Sequence, residues 1–237
     1  LCFPAVFAVG CAGPLDVKAE AAETDRPLGE PAKPKTEISL KASGTDAFVL
    51  MYHDVLASRT RDALWYDSTK AEFQRDIDRL TEWGATFVSM SELYLALTED
   101  RPLPPKAVAL TFDDNYQGFY ENAWPLLKAR EIPLTMYVHT DFVGSAQGRP
   151  KMSWKTLQEL VGSSLFSVGS HTQSHPEDFS KLTKDQQKQQ LVKSKALLED
   201  KLGVTVSQIS WPNGKYSPSS IHLAKQAGYA MGAAMSS

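Results

Sequence analysis

AVALTFDD, residues 107–114, is a short apolar run that ends in two adjacent carboxylates. Two prolines precede the run and Asn115 follows it, so its length, composition and boundaries predict a buried parallel β-strand. That strand would carry Asp113 and Asp114 at its C-terminal end. Neighbouring side chains of a strand point to opposite faces, so both carboxylates reach one ligand only where the strand turns into a loop. The alternative is that one Asp caps the following helix and the other is solvated.

Apolar runs alternate with helical patterns through the rest of the chain. Strands are predicted at residues 48–52, 86–89, 108–112, 134–138, 166–168, 208–211 and 229–233. Helices are predicted between them, at residues 70–83, 91–97, 118–130, 154–161, 184–202 and 217–227. This alternation predicts an α/β fold with a parallel sheet, a single domain over residues 46–237 that forms an incomplete or distorted barrel. The active site of such a fold lies at the C-terminal ends of its strands.

Residues suited to catalysis or metal binding follow several of these strands. In chain order they are His53, Asp113, Asp114, His139, His171, His175 and Asn213. Most of the five histidines therefore fall at the edge where the fold places chemistry. His222 is the exception and is predicted to be a packing or surface residue. His139 is assigned no catalytic role.

His171 and His175 have the i, i+4 spacing that aligns two imidazoles if the segment takes one helical turn. Two imidazoles and one carboxylate make a metal site with positions left for water and substrate. The zincin pattern is excluded because position 172 is Thr and no Glu lies between the histidines. The alternative is a pair of surface histidines in a polar loop; the Asp pair favours the metal site.

Three motifs, TFDD at 111–114, HTQSH at 171–175 and WPNGKY at 211–216, resemble in order and separation those of the polysaccharide deacetylases, the NodB-homology group of carbohydrate esterase family 4. The resemblance implies a distorted (β/α)₇ barrel and hydrolysis of N-acetyl groups. It implies that Asp113 is the catalytic base and that Asp114, His171 and His175 bind a divalent metal. Zinc is the favoured ion, with cobalt, nickel and iron as alternatives.

Two departures from the family pattern matter. The late Leu-x-His motif that supplies the general acid is missing after Tyr216, whereas VLMYHD at 49–54 resembles the circularly permuted branch that deacetylates poly-β-1,6-N-acetylglucosamine. That likeness implies His53 as the general acid, the alternative being a histidine packed at a strand end; adjacency suggests that Asp54 orients it. Trp211 and Asn213 stand where many members have Arg and Tyr. The backbone N–H of Asn213 remains available to an oxyanion, because that role needs no side chain.

Several aromatic residues are candidates for stacking on sugar rings. They are Trp65, Tyr66, Tyr116, Trp154 and Trp211. Trp211, Tyr116 and Trp154 are chosen as predicted substrate contacts, the alternative for each being a place in the core or the barrel rim.

The N-terminal residues 1–11 predict the remnant of a secretory leader, too short and too interrupted by proline to span a bilayer. AVGC at 8–11 resembles a bacterial lipobox, in which Cys11 becomes the lipidated first residue of the mature protein. The alternative is an ordinary signal peptide cleaved near Ala12 or Gly13. Residues 12–45 contain few large apolar residues, which predicts a flexible linker. We therefore expect an exported protein, held at the cell envelope through a lipid anchor.

Composition sets the remaining limits. A net charge of -3 without a basic stripe argues against nucleic acid as a partner, and a monomer is expected. The predicted function is partial de-N-acetylation of poly-β-1,6-N-acetylglucosamine in biofilm matrix formation. The alternatives are a peptidoglycan or chitin-oligomer deacetylase and, from another class, a catalytically silent polysaccharide-binding module.

Overall fold

The computed structural model describes residues 5–9, 47–99 and 101–235. Its strands are β1 (Ala5–Val9), β2 (Ala47–Tyr52), β3 (Val55–Leu56), β4 (Ser68–Thr69), β5 (Thr86–Val88), β6 (Ala107–Asp113), β7 (Leu134–Val138), β8 (Phe166–Ser170), β9 (Gln208–Ser210) and β10 (Met231–Ala233). One eight-stranded sheet has the order β1-β2-β6-β7-β8-β9-β10, and β5 also pairs with β6. A separate ribbon joins β3 to β4.

Every pairing in the large sheet is parallel except that of β1 with β2. β2 runs along nearly the whole of β6, while β5 and β7 pair with its first and second halves. The parallel strands match those predicted to within a few residues, and with their helices they form the curled sheet of a distorted (β/α) barrel. The predicted fold class is confirmed.

The helices are α1 (Lys70–Trp83), α2 (Met90–Glu99), α3 (Trp124–Ala129), α4 (Trp154–Val161), α5 (Lys184–Leu202) and α6 (Pro218–Gln226). The side chains of Ser153 and Ser217 cap α4 and α6 by accepting hydrogen bonds from backbone N–H groups of the first turn. Gly84 and Gly203 take the left-handed conformation that ends α1 and α5. Local sequence therefore determines these boundaries.

The predicted helix 118–130 is interrupted. A π-helical turn, Phe119–Ala123, precedes α3, in which Pro125 is the second residue. Proline has no N–H to donate to the preceding turn, so the regular bonding pattern cannot run through this point. The prediction of one continuous helix was wrong for that reason.

β6 lies at the centre of the core, and all of its residues are buried. Side chains of β6 and β7, such as Leu110, Phe112 and Met136, join α1 and α3 in one hydrophobic cluster. Burying such a side chain contributes about 1.5–3 kcal/mol. This packing fixes the strand end from which Asp113 projects.

The N-terminal predictions fall mostly outside this description. Cys11 and the predicted linker 12–45 lie outside the described residues. β1 belongs to the segment predicted as a leader remnant, and the domain boundaries stay a prediction. Among the described residues, no helix is both long and apolar enough to cross a bilayer.

Candidate active site

The C-terminal ends of β2, β6, β8 and β9 surround a cavity of about 400 Å³. Its polar lining includes His53, Asp113, Asp114, His171, His175 and Ser210. Aliphatic side chains such as Met51 and Leu93 also line it. The strand-end residues predicted from the sequence are therefore brought together in one place.

The two adjacent carboxylates reach a common point because the strand ends between them. Asp113 is the last residue of β6, whereas Asp114 has a φ of 72°. This left-handed conformation costs a non-glycine residue about 1–2 kcal/mol and breaks the alternation of the strand. Oδ2 of Asp113 and Oδ1 of Asp114 each lie 3.6 Å from Nε2 of His171.

Asp114, His171 and His175 form a compact set of ligand atoms, all within 4.8 Å of one another. Oδ1 of Asp114 lies 3.8 Å from Nε2 of His175. The i, i+4 spacing suggested that a helical turn would align the two imidazoles, but the segment does not form such a turn. The segment is a loop in which Thr172 and His175 have positive φ, and the Thr172 Oγ1 accepts a hydrogen bond from the His175 backbone N–H at 3.2 Å.

These residues fit a divalent metal ion. Nδ1 of His171 lies 2.8 Å from the Ser210 carbonyl oxygen, to which it donates, so the lone pair of Nε2 is free for coordination. Burial lowers the pKa of His171, and it lowers that of His175 to about 4, so both rings are neutral at pH 7. Oδ1 of Asp114 is buried without a hydrogen-bond partner. Burial raises the pKa of Asp114, but the electrostatic effects of His171, His139 and Lys151 outweigh burial and hold this pKa below its usual range.

Asp113 is held by a residue that the sequence analysis did not single out. The Ser210 hydroxyl donates to Oδ2 of Asp113 at 3.1 Å, while Oδ1 is buried with no partner. Burial raises the pKa of Asp113 to about 7, against the opposing effect of His53. Ser210 thus orients both Asp113 and His171. It lacked a sequence signal because an isolated Ser in a strand is common.

His53 lines the cavity at the end of β2 and packs against the Tyr66 ring, with centroids 4.4 Å apart. Burial lowers its pKa, while Asp113 and Asp114 act in the opposite direction. The ion-pair partner of Asp54 is Arg149, whose Nη1 lies 3.6 Å from Oδ2. The suggestion that Asp54 orients His53 is therefore wrong, since adjacent side chains of an extended chain diverge.

The third motif forms a short 3₁₀ turn, Pro212–Gly214, in which Asn213 has a φ of 53°. Nδ2 of Asn213 donates to the Glu177 carbonyl oxygen at 3.1 Å, which holds this side chain. Trp211 is buried against Phe179 and Tyr216, and both Trp211 and Asn213 line the cavity.

The other two predicted substrate contacts have different surroundings. Tyr116 is buried with the Lys151 ammonium 3.2 Å above its ring centre. Trp154 begins α4 and packs against the hydrophobic core. Their roles in sugar stacking stay predictions. His222 lies exposed on α6, as expected.

A model of the polysaccharide deacetylase family matches residues 100–232, which include all three motifs. The chain belongs to this family. Its fold is similar to the structure of IcaB from Ammonifex degensii, with a TM-score of 0.73 and 30% identity over 78% of this chain and 82% of that one. Streptococcus pyogenes deacetylase PplD, in complex with acetate, gives a TM-score of 0.68 and 26% identity over 76% and 80% of the two chains.

Two relatives found by sequence similarity are named as polysaccharide N-deacetylases. The poly-beta-1,6-N-acetyl-D-glucosamine N-deacetylase of Staphylococcus epidermidis is 31% identical over 146 residues, which cover 56% of this chain and 50% of that protein. The enzyme of the same name from Staphylococcus aureus is 26% identical over 213 residues, 81% and 73% of the two chains. Family membership makes this chain a hydrolase of the class that removes acetyl groups from polysaccharides.

His139 is the histidine whose surroundings the sequence did not reveal. It is buried at the end of β7, and its Nε2 lies 3.5 Å from Oδ1 of Asp114. Its ring packs against Phe142 with centroids 4.7 Å apart. Its nitrogen atoms do not belong to the compact set of ligand atoms of the other three residues. We therefore expect its Nε2 to support Asp114 from outside that set when a metal is bound. Its place at a strand end beside other histidines was the available signal.

We expect His139→Leu to weaken divalent metal binding by about 10–100-fold, the usual effect of losing such outer support. His139→Gln keeps an N–H donor and should bind metal more tightly than His139→Leu. Dissociation constants from competition with a chelator test this, with His222→Ala as the matched control. Equal affinity in His139→Leu and the wild type would exclude the supporting role. Equal weakening in both His139 variants would make His139 a direct ligand.

Proposed function

We propose that this chain removes N-acetyl groups from poly-β-1,6-N-acetylglucosamine by metal-dependent amide hydrolysis. The observation that carries the proposal is the set of Asp114, His171 and His175 in one cavity with Asp113 and His53. The names of the staphylococcal relatives support the choice of polymer. A silent binding module is disfavoured, because it would have no use for a buried, ordered set of base, ligands and acid.

In this proposal, each residue has a distinct task. A divalent ion held by Asp114, His171 and His175 would act as a Lewis acid towards the acetyl carbonyl. Asp113 accepts the proton of the attacking water; its raised pKa makes it a stronger base than an exposed carboxylate. Ser210 fixes Oδ2 of Asp113 and leaves the buried Oδ1 for this proton transfer.

The remaining groups act on the other side of the scissile amide. Protonated His53 donates its proton to the departing glucosamine nitrogen; burial lowers the pKa of this ring, and the carboxylates of Asp113 and Asp114 partly oppose that effect. The backbone N–H of Asn213 stabilises the developing oxyanion. Aliphatic lining such as Met51 and Leu93 offers apolar surface to the acetyl methyl group.

Acetate release from defined oligomers tests the reaction and its substrate together. The purified protein loaded with zinc should release acetate from β-1,6-linked N-acetylglucosamine oligomers faster than from chitin oligomers or peptidoglycan fragments. Removal of the metal with a chelator should abolish the release, and added zinc should restore it. A faster reaction on chitin oligomers or peptidoglycan fragments would identify that polymer as the substrate instead. Absence of acetate from every substrate would exclude the enzymatic function.

Asp113→Asn and Asp114→Ala should fail for different reasons, because only the second removes a metal ligand. We expect Asp113→Asn to keep stoichiometric metal and to lose kcat by about 10²-fold or more, the scale for a general base. Asp114→Ala should lose most of its metal. Metal content by mass spectrometry, measured beside acetate release, separates the two. A metal-free Asp113→Asn and a metal-loaded Asp114→Ala would reverse the assigned roles.

His53→Ala should keep its metal and lower kcat by about 10²-fold or more, since it removes only the proton donor. The same acetate assay measures this, with His222→Ala as a control for the loss of an exposed histidine. Retention of near-normal kcat in His53→Ala would exclude His53 as the general acid.

We also propose that the protein is exported and lipid-anchored through Cys11, on the basis of the AVGC sequence at 8–11. When expressed in a bacterium, the wild type should partition with the membrane fraction and into detergent, while Cys11→Ser should be released or left unprocessed. An N-terminus that begins after Cys11 in a wholly soluble wild-type protein would disprove the anchor.

A further inference from the structure

The connection between β3 and β4, residues 57–67, carries an exposed tryptophan beside the cavity. Asp67, at its end, is fully buried and organises the loop. Its Oδ2 accepts a hydrogen bond from the Leu64 backbone N–H at 2.5 Å, and its Oδ1 lies 2.6 Å from Nη1 of Arg149. Arg149 also donates to the Asp62 carbonyl oxygen at 2.8 Å. A buried carboxylate and an arginine from a distant segment therefore hold the loop in one conformation.

Trp65 stands on this anchored loop with 74% of its surface exposed. The contacts that order the loop are made by Asp67 and Arg149, so they do not require burial of the indole. The exposed indole therefore offers a flat apolar face to a ligand at the surface of an ordered loop.

The position of Trp65 relates it to the chemistry. Its ring lies edge-on to that of Tyr66, with centroids 5.3 Å apart. Tyr66 lines the cavity and packs against His53. The indole is therefore one aromatic ring away from the proposed general acid, on the rim of the cavity.

We propose that Trp65 is a stacking subsite for a sugar ring adjacent to the unit held in the cavity. This proposal rests on the function proposed above. A cavity of about 400 Å³ takes only a short part of a polysaccharide, so the neighbouring units must lie on its rim. The C–H face of a pyranose carries a partial positive charge that complements the negative face of an indole. The subsite thus recognises a neutral hexosamine ring by shape and apolar contact.

Kinetics on short and long substrates test the subsite. With Trp65→Ala, the KM for a β-1,6-linked N-acetylglucosamine hexamer should rise about fivefold to tenfold more than that for the monomer, the size of one aromatic stacking contact. Trp65→Phe should recover part of the loss. Leu64→Ala, at a neighbouring position that is 40% exposed, is the matched control for the removal of an apolar side chain from this loop. Thermal unfolding of each variant confirms that the fold is intact.

Calorimetry can measure hexamer binding to the Asp113→Asn variant with and without Trp65→Ala. This measurement separates the subsite proposal from the deacetylase function on which it rests. Weaker binding on loss of Trp65 supports the subsite even if the wild type releases no acetate. Unchanged binding and unchanged KM in an active enzyme would overturn the subsite and leave the deacetylase function standing. Loss of binding to phosphatidylglycerol vesicles, with hexamer binding retained, would also overturn it, because Trp65 would then contact a membrane.

Discussion

The burial of two adjacent carboxylates at the end of β6 is the constraint on which the site depends. Removing a charged group from water costs several kcal/mol unless partners compensate. Different surroundings compensate this desolvation cost for Asp113 and for Asp114. Asp114 has the imidazoles of His171, His175 and His139 at 3.5–3.8 Å, and a metal ion bound there would compensate its charge. Burial raises the pKa of Asp113, and His53 and the hydrogen bond from the Ser210 hydroxyl offset this effect only in part.

This difference gives a physical basis for dividing their roles. A carboxylate held below its usual pKa stays ionised and serves as a ligand, whereas one with a pKa near 7 exchanges a proton readily. The family resemblance implied the same division for Asp113 and Asp114. The electrostatic surroundings explain how two residues of one type, next to each other in the chain, acquire different properties.

Ser210 connects the parts of this arrangement. Its carbonyl oxygen fixes the tautomer of His171, and its hydroxyl orients Asp113, so β9 joins the proposed metal ligands to the proposed base. Many family members use an arginine of the third motif for orientation of the base, and this chain has Trp211 there. Ser210 lies one residue earlier, and its hydroxyl donates a hydrogen bond to Asp113.

The sequence by itself determined the strand β6, the alternation of strands and helices, and the edge of the sheet at which His53, Asp113, Asp114, His171 and His175 gather. These features follow from apolar periodicity and from local capping and strand-end signals. Only the tertiary structure decided the φ reversal at Asp114, the loop geometry of the two histidines, and the contacts made by Ser210, His139 and Trp65. Those depend on which strand ends and loops pack side by side, and contacts between residues far apart in the chain leave no local pattern in the sequence.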